Sequence, residues 1–199
     1  MLDRRRFLRW VWLLSLAWLS GCTPTPKPEF KGTDITGAGF GRRLDLTDHN
    51  GARRRLDDFR GKLVVLFFGY MHCPDVCPTT LADMAAALKM LTPEEAGQVQ
   101  VLFVTVAPER DRPDLLKQYV PFFHPGFLGL YGTPEEVAAA AREFKIHYRK
   151  QVEPGASGYL VDHTAGSYVL DKHSRLRLFQ PFAQPAADIA HDLRLLLGE

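Results

Sequence analysis

Cys73-Pro74-Asp75-Val76-Cys77-Pro78 places two thiols four positions apart, between the apolar run 62–70 and a run of helical periodicity starting near Pro78. Thiols so spaced at a strand-to-helix junction make a soft metal site or a redox pair. Pro78 suits the first position of a helix, which would make Cys77 its N-cap. The free N–H groups and the positive dipole end there favour a thiolate and lower its pKa. With three residues between the cysteines, the pair is wider than the C-x-x-C of common disulfide oxidoreductases. A disulfide is still feasible, because Cα separations up to roughly 6.8 Å are tolerated. Two preorganised, partly exposed thiolates on a proline-stiffened loop favour soft ions, above all Cu(I).

A metal held by two thiolates takes a third ligand, and the chain offers seven histidines. His72 adjoins Cys73, but its side chain should project the other way. His49 reads as a solvated turn residue, His173 lies in a Lys-His-Ser turn, and His124, His147 and His191 have no motif around them. His163 stands apart in Val161-Asp162-His163-Thr164-Ala165-Gly166, a loop ahead of the expected strand 167–171. In a thioredoxin-like sheet the loop before that strand packs against the thiol loop. Asp162 is a candidate acceptor for the second ring nitrogen of His163, and Asp75 reads as a turn-forming aspartate.

The elements that must position these residues alternate. Leu63-Val64-Val65-Leu66-Phe67-Phe68 reads as a strand covered on both faces. Leu81, Met84, Ala85, Leu88 and Leu91 recur at helical spacing. A second buried-type strand follows over 99–106, then a helix over 111–123, a short strand over 127–131 and a helix over 134–144. Thr133 is the N-cap of that last helix and Pro134 its first residue. Strands over 148–152, 158–161, 167–171 and 175–179 precede a final helix over 186–197. Upstream, Leu44–Thr47 and Arg53–Leu56 flank Asn50-Gly51, a tight hairpin signal. The pattern predicts an α/β fold with helices on both faces of a mixed sheet and an N-terminal hairpin extension.

The N-terminus sets the address. Arg4, Arg5, Arg6 and Arg9 precede the apolar run 10–19. That run is too short for a bilayer span, which needs roughly 20 residues, and fits a signal peptide. Leu19-Ser20-Gly21-Cys22 resembles a bacterial lipobox, with Cys22 as the acylated residue. The paired arginines also resemble a twin-arginine export signal. The prolines of 24–28 make a stiff tether. The reading divides the chain into a signal peptide (1–21), a lipidated cysteine with tether (22–38) and one domain (39–199). The whole chain holds 25 basic and 23 acidic residues, net +2. Residues 1–21 contribute four arginines and Asp3, so the remainder holds 21 and 22, net −1. Nucleic-acid binding, which needs a basic face or stripe, is excluded; Arg53-Arg54-Arg55 reads as a solvated hairpin edge. Of three cysteines, assigning Cys22 to lipid leaves only Cys73 and Cys77 to pair with each other.

Gly69-Tyr70-Met71-His72-Cys73-Pro74-Asp75-Val76-Cys77-Pro78, Thr105-Val106-Ala107-Pro108-Glu109-Arg110-Asp111 and Asp162-His163-Thr164 together resemble the Sco/SenC family of copper-binding proteins. The resemblance runs from about Phe40 to Leu197. It implies a thioredoxin-like fold and copper ligation, as Cu(I) or also Cu(II), by Cys73, Cys77 and His163. It further implies attachment to the outer face of a membrane and delivery of copper to the binuclear centre of cytochrome c oxidase. The implied partners are the oxidase subunit carrying that centre, and a thioredoxin-like reductant or a second copper chaperone. Two positions depart from the family pattern: Ala107, where an aspartate is usual, and Met71, where a small or hydroxyl residue is usual. The competing reading is a thiol–disulfide oxidoreductase that cycles Cys73–Cys77 as a redox disulfide to keep partner copper-site cysteines reduced. A peroxidase is disfavoured, since no Pro-x-x-x-Thr-x-x-Cys pattern ends at either thiol. A structural zinc site is disfavoured too, since such sites close with four ligands.

Overall fold

The structure is a computed structural model that describes residues 29–152 and 158–199. The expected signal peptide, the Cys22 acylation site and the prolines of the tether therefore lie outside the described residues.

Two strands, β4 (Leu63–Gly69) and β5 (Val99–Thr105), form the middle of an eight-stranded sheet. They pair in parallel from Leu63↔Val99 to Gly69↔Thr105. Every residue of β4 is buried, as its unbroken apolar run requires when both faces are covered. On one face Phe67 meets Phe103 of β5, with ring centres 6.0 Å apart. On the other, Phe68 meets Phe144 at 5.9 Å. Each such side chain contributes roughly 1.5–3 kcal/mol by leaving water.

Beyond β5 the sheet continues through β6 (Leu128–Tyr131), parallel, and then β2 (Asp45–Asp48) and β3 (Arg53–Arg55), antiparallel. The predicted hairpin is thus built into one edge, and the arginines of β3 blunt that edge against strand addition. Beyond β4 come β9 (Gly166–Leu170), β10 (Leu176–Pro181) and β1 (Thr33–Asp34), all antiparallel. The last of these lies ahead of residue 39, where the domain is expected to begin. Thr33 and Asp34 add a strand to β10, and the N–H groups of Lys31 and Gly32 donate to the buried Asp192 carboxylate, both at 2.8 Å. A short backbone ladder and one buried acceptor recruit residues that read as tether.

The helices are α1 (Val76–Lys89), α2 (Pro93–Gly97), α3 (Pro113–Phe123), α4 (Pro134–Glu143) and α5 (Ala186–Leu197). Helix α1 packs against α3 and α5, and α4 against β2. Thr133 caps α4 as expected, accepting from the Glu136 N–H at 3.3 Å. The same four residue types, Thr92-Pro93-Glu94-Glu95, open α2, a five-residue helix with no periodic run to announce it. The remaining strands, β7 (Tyr148–Val152) and β8 (Tyr159–His163), pair with each other in a separate two-stranded sheet.

Candidate metal centre

Strand β4 ends at Gly69, and the chain turns through Tyr70–Asp75 into α1. The N–H of Cys73 closes the first turn on the Tyr70 carbonyl at 3.3 Å. Helix α1 begins one residue before Cys77, with Asp75 as N-cap. This corrects the expected cap: Cys77 lies inside the first turn, and Pro78 follows where an intrahelical donor is not needed. The Cys77 N–H, one of the helix's free donors, points at Cys73 Sγ at 3.4 Å. Asp75 accepts from the Thr79 hydroxyl at 3.3 Å and its carbonyl from the Thr79 N–H at 3.2 Å, which holds the turn.

Cys77 is fully buried, Cys73 only partly, and both are free thiols. Burial pushes the Cys77 thiol well above its ordinary value, and the neighbouring Cys73 acts in the same direction. The expected depression of Cys77 by the helix terminus is thereby overturned. Desolvation outweighs the dipole because the sulfur lies in the apolar layer over the sheet. The reason is Gly69. A Cβ there would sit 2.7 Å from Cys77 Sγ and 2.9 Å from Phe103 Cε2. The missing side chain is the space the sulfur occupies.

His163 is the last residue of β8, not a loop residue, and is half-buried. Its ring stands edge-on to Phe67 and Tyr70, with centres 6.0 and 5.9 Å away. Burial lowers its pKa, opposed by the Thr164 carbonyl and the Asp162 charge, so the imidazole is neutral at pH 7. Nδ1 lies 3.1 Å from the Thr164 carbonyl oxygen. A carbonyl only accepts, so Nδ1 carries the proton and Nε2 keeps its lone pair. Nε2 is 3.4 Å from Cys77 Sγ. Asp162 does not make the ring hydrogen bond expected of it: its carboxylate accepts from Gln151 instead. Neighbouring side chains on a strand point to opposite faces, so Asp162 reaches the ring only through its charge.

The two sulfurs and the imidazole nitrogen lie within 4.8 Å of one another, the one such cluster of three or more potential ligands among the described residues. The other histidines with described partners go elsewhere. His49 is buried rather than solvated, and its Nδ1 accepts from the Gly129 N–H at 3.0 Å. His124 Nδ1 accepts from the Gly126 N–H at 3.1 Å. His72 is exposed, with Nδ1 3.8 Å from Asp111 Oδ1.

Asp111, expected to open a helix, is fully buried behind the thiol loop. Its Oδ2 accepts from the Met71 N–H at 2.9 Å and the Thr105 hydroxyl at 2.7 Å. Its place at the end of the Thr105–Asp111 segment was the available signal. Ala107 is buried, and its carbonyl closes the turn by accepting from the Arg110 and Asp111 N–H groups, both at 2.9 Å. Met71 packs against the core.

The SCO1/SenC family profile matches residues 33–198. The mouse mitochondrial SCO2 homolog is 33% identical over 188 residues, covering 94% of this chain and 72% of that protein. The chain spans 57% and 56% of the bovine and human SCO2 homologs. Apo Sco1 from Thermus thermophilus matches with a TM-score of 0.77 at 40% identity, over 87% of this chain and 100% of that one. ScoI of Bradyrhizobium japonicum with copper bound matches with a TM-score of 0.72 at 35% identity, over 79% and 99%.

Proposed function

Since the chain belongs to the SCO1/SenC family, we propose that it is a copper assembly protein whose Cys73, Cys77 and His163 take one copper ion as cargo. The observation that carries this reading is the convergence of two sulfurs and one imidazole nitrogen within 4.8 Å, with the imidazole lone pair facing the Cys77 sulfur. Soft thiolates select Cu(I), and neutral imidazole completes a three-coordinate set.

The chemistry follows from the protonation states. Copper takes the place of the Cys77 proton, which leaves to solvent, and ligation removes any proton remaining on Cys73. Two thiolates, one neutral imidazole and Cu(I) sum to a charge of −1. Cys73 faces outward and Cys77 inward, so an incoming partner thiolate meets copper at the Cys73 side. The ion then exchanges ligands one at a time without release to water. The acceptor in this proposal is the binuclear copper centre of cytochrome c oxidase. Export and acylation at Cys22 would hold the domain on the outer face of the membrane. Among the described residues no helix is long and apolar enough to cross a membrane.

A thiol–disulfide role is the second reading, favoured by the approach of the two thiols within 4.8 Å. Closing that gap forms one S–S bond and releases two electrons and two protons to an oxidised partner disulfide.

An anaerobic Cu(I) titration of the reduced protein against a competing chelator tests the first reading. Cys73→Ala, Cys77→Ala and His163→Ala are run alongside. One ion held tightly, lost with either cysteine and weakened without the histidine, is the expected result. No copper above background, together with an active disulfide couple, would leave the oxidoreductase.

A further inference from the structure

The strands that carry His163 pair only with each other among the described residues, so something else must hold that imidazole over the thiols. We propose that Arg110 is the positioning residue: it latches the β7–β8 hairpin to the rim of the main sheet and thereby sets His163 against Cys77.

Arg110 Nη1 donates to the Tyr159 carbonyl at 2.8 Å, at the start of β8. Its guanidinium also lies 4.1 Å over the Tyr159 ring and 5.5 Å from the Tyr70 ring. Tyr70 is the residue that leads into the thiol loop and stands edge-on to the His163 ring. One planar cation is thus sandwiched between the hairpin and the platform beneath it, a geometry suited to arginine and not to lysine. Glu109 adds an ion pair with Lys150 of β7, and the Lys150 ammonium lies 5.0 Å over the same Tyr159 ring. Asp111, the next residue, holds the thiol loop through the Met71 N–H. Three consecutive residues therefore tie down both halves of the site. Asp111 secures the sulfurs; Arg110 and Glu109 secure the imidazole.

The inference rests on the copper reading for what His163 does, while its mechanical part stands without copper. The test uses the full chain as wild type, Arg110→Ala, Arg110→Lys, His163→Ala and the Arg110→Ala/His163→Ala double variant. Backbone hydrogen exchange is followed in the metal-free protein, and Cu(I) loss to a chelator in the loaded protein. Arg110→Ala should speed exchange across 148–152 and 159–163 by about tenfold or more, with β4 and β5 unchanged. It should speed Cu(I) loss by about 10–100-fold, the scale of removing a group that orients a ligand. Arg110→Lys should recover only part of both. The double variant should lose copper no faster than His163→Ala alone, because Arg110 acts through that histidine. Unchanged hairpin exchange in Arg110→Ala, or full additivity in the double variant, overturns the proposal. If Arg110→Ala does not fold, the lysine variant carries both readouts. Were the wild type to hold no copper, the function proposed above would fail, and hairpin exchange would decide the latch alone.

Discussion

The two halves of the metal centre are built in opposite ways. The sulfur half grows directly from the central strand β4. Cys77 is wholly buried, its space is reserved by Gly69, and Asp111 fastens the loop from behind. The imidazole half stands on a two-stranded hairpin outside the main sheet, half-exposed, held through the Glu109–Arg110 contacts and the edge-on contacts of its ring. Packing density makes the first half stiff, and a two-stranded ladder that pairs only with itself among the described residues leaves the second the easier to open. A carrier benefits from that difference, because strong ligands retain the ion while a movable one lets a partner in.

The sharpest way to break the comparison is at the sulfurs. Cys77→Ser should abolish Cu(I) retention in the chelator competition, since a buried hydroxyl is a poor ligand for a soft ion. His163→Ala should lower affinity at least as much as the roughly 10–100-fold expected when a group orienting that ligand is removed, yet leave two-thiolate binding intact. Equal losses from both variants would mean the halves are not so different. Gly69→Ala probes the rigid half without replacing a ligand. Its Cβ would meet Cys77 Sγ at 2.7 Å, so overpacking should cost about 1–3 kcal/mol in a denaturant melt of the apo protein.

Proton linkage supplies a finer probe of the buried thiol. The folded state holds the Cys77 proton above the ordinary thiol value of 9.0, whereas the unfolded chain gives it up near that value. This contribution to apo stability is therefore present below pH 9 and lost above it, by up to about 1.4 kcal/mol per pH unit. Urea melts of wild type and Cys77→Ala from pH 8 to 10.5 should diverge accordingly. For the same reason the Cys77 proton alone should raise apparent Cu(I) affinity about tenfold per unit of pH through the neutral range. The smallest effect is expected at Asp162→Asn, under about threefold in copper affinity. The carboxylate makes no bond to the ring, and an exposed charge is well screened. A tenfold change there would mean that Asp162 does more than the structure gives it.

Much of this was legible from residue order, and the misses have physical causes. Continuous apolar strands, the Thr133-Pro134-Glu135-Glu136 helix start and the hairpin turn at Asn50-Gly51 carry their signals locally. Thr92-Pro93-Glu94-Glu95 carries the same helix signal as Thr133 but has no long periodic run behind it, so the short α2 is not legible from period alone. His49 looked solvated because its turn is polar; a neighbouring strand supplies the Gly129 N–H that buries it. Pro78 pointed to a helix start two residues late, because proline is tolerated throughout the first turn. Asp162 was next to His163 in sequence and for that reason faced the wrong way on a strand.

By itself the sequence determined that two thiols meet at a strand-to-helix junction, that the domain is α/β, and which family pattern its motifs follow. Those are local properties: residue type, spacing and period. Tertiary structure alone decided that Cys77 is a buried, protonated thiol, that Thr164 rather than Asp162 sets the His163 tautomer, and that Arg110 joins the hairpin to the thiol platform. The first and last depend on groups far apart in the chain, and the second on which way adjacent residues face on a strand; none of these leaves a periodic mark in the order of residues.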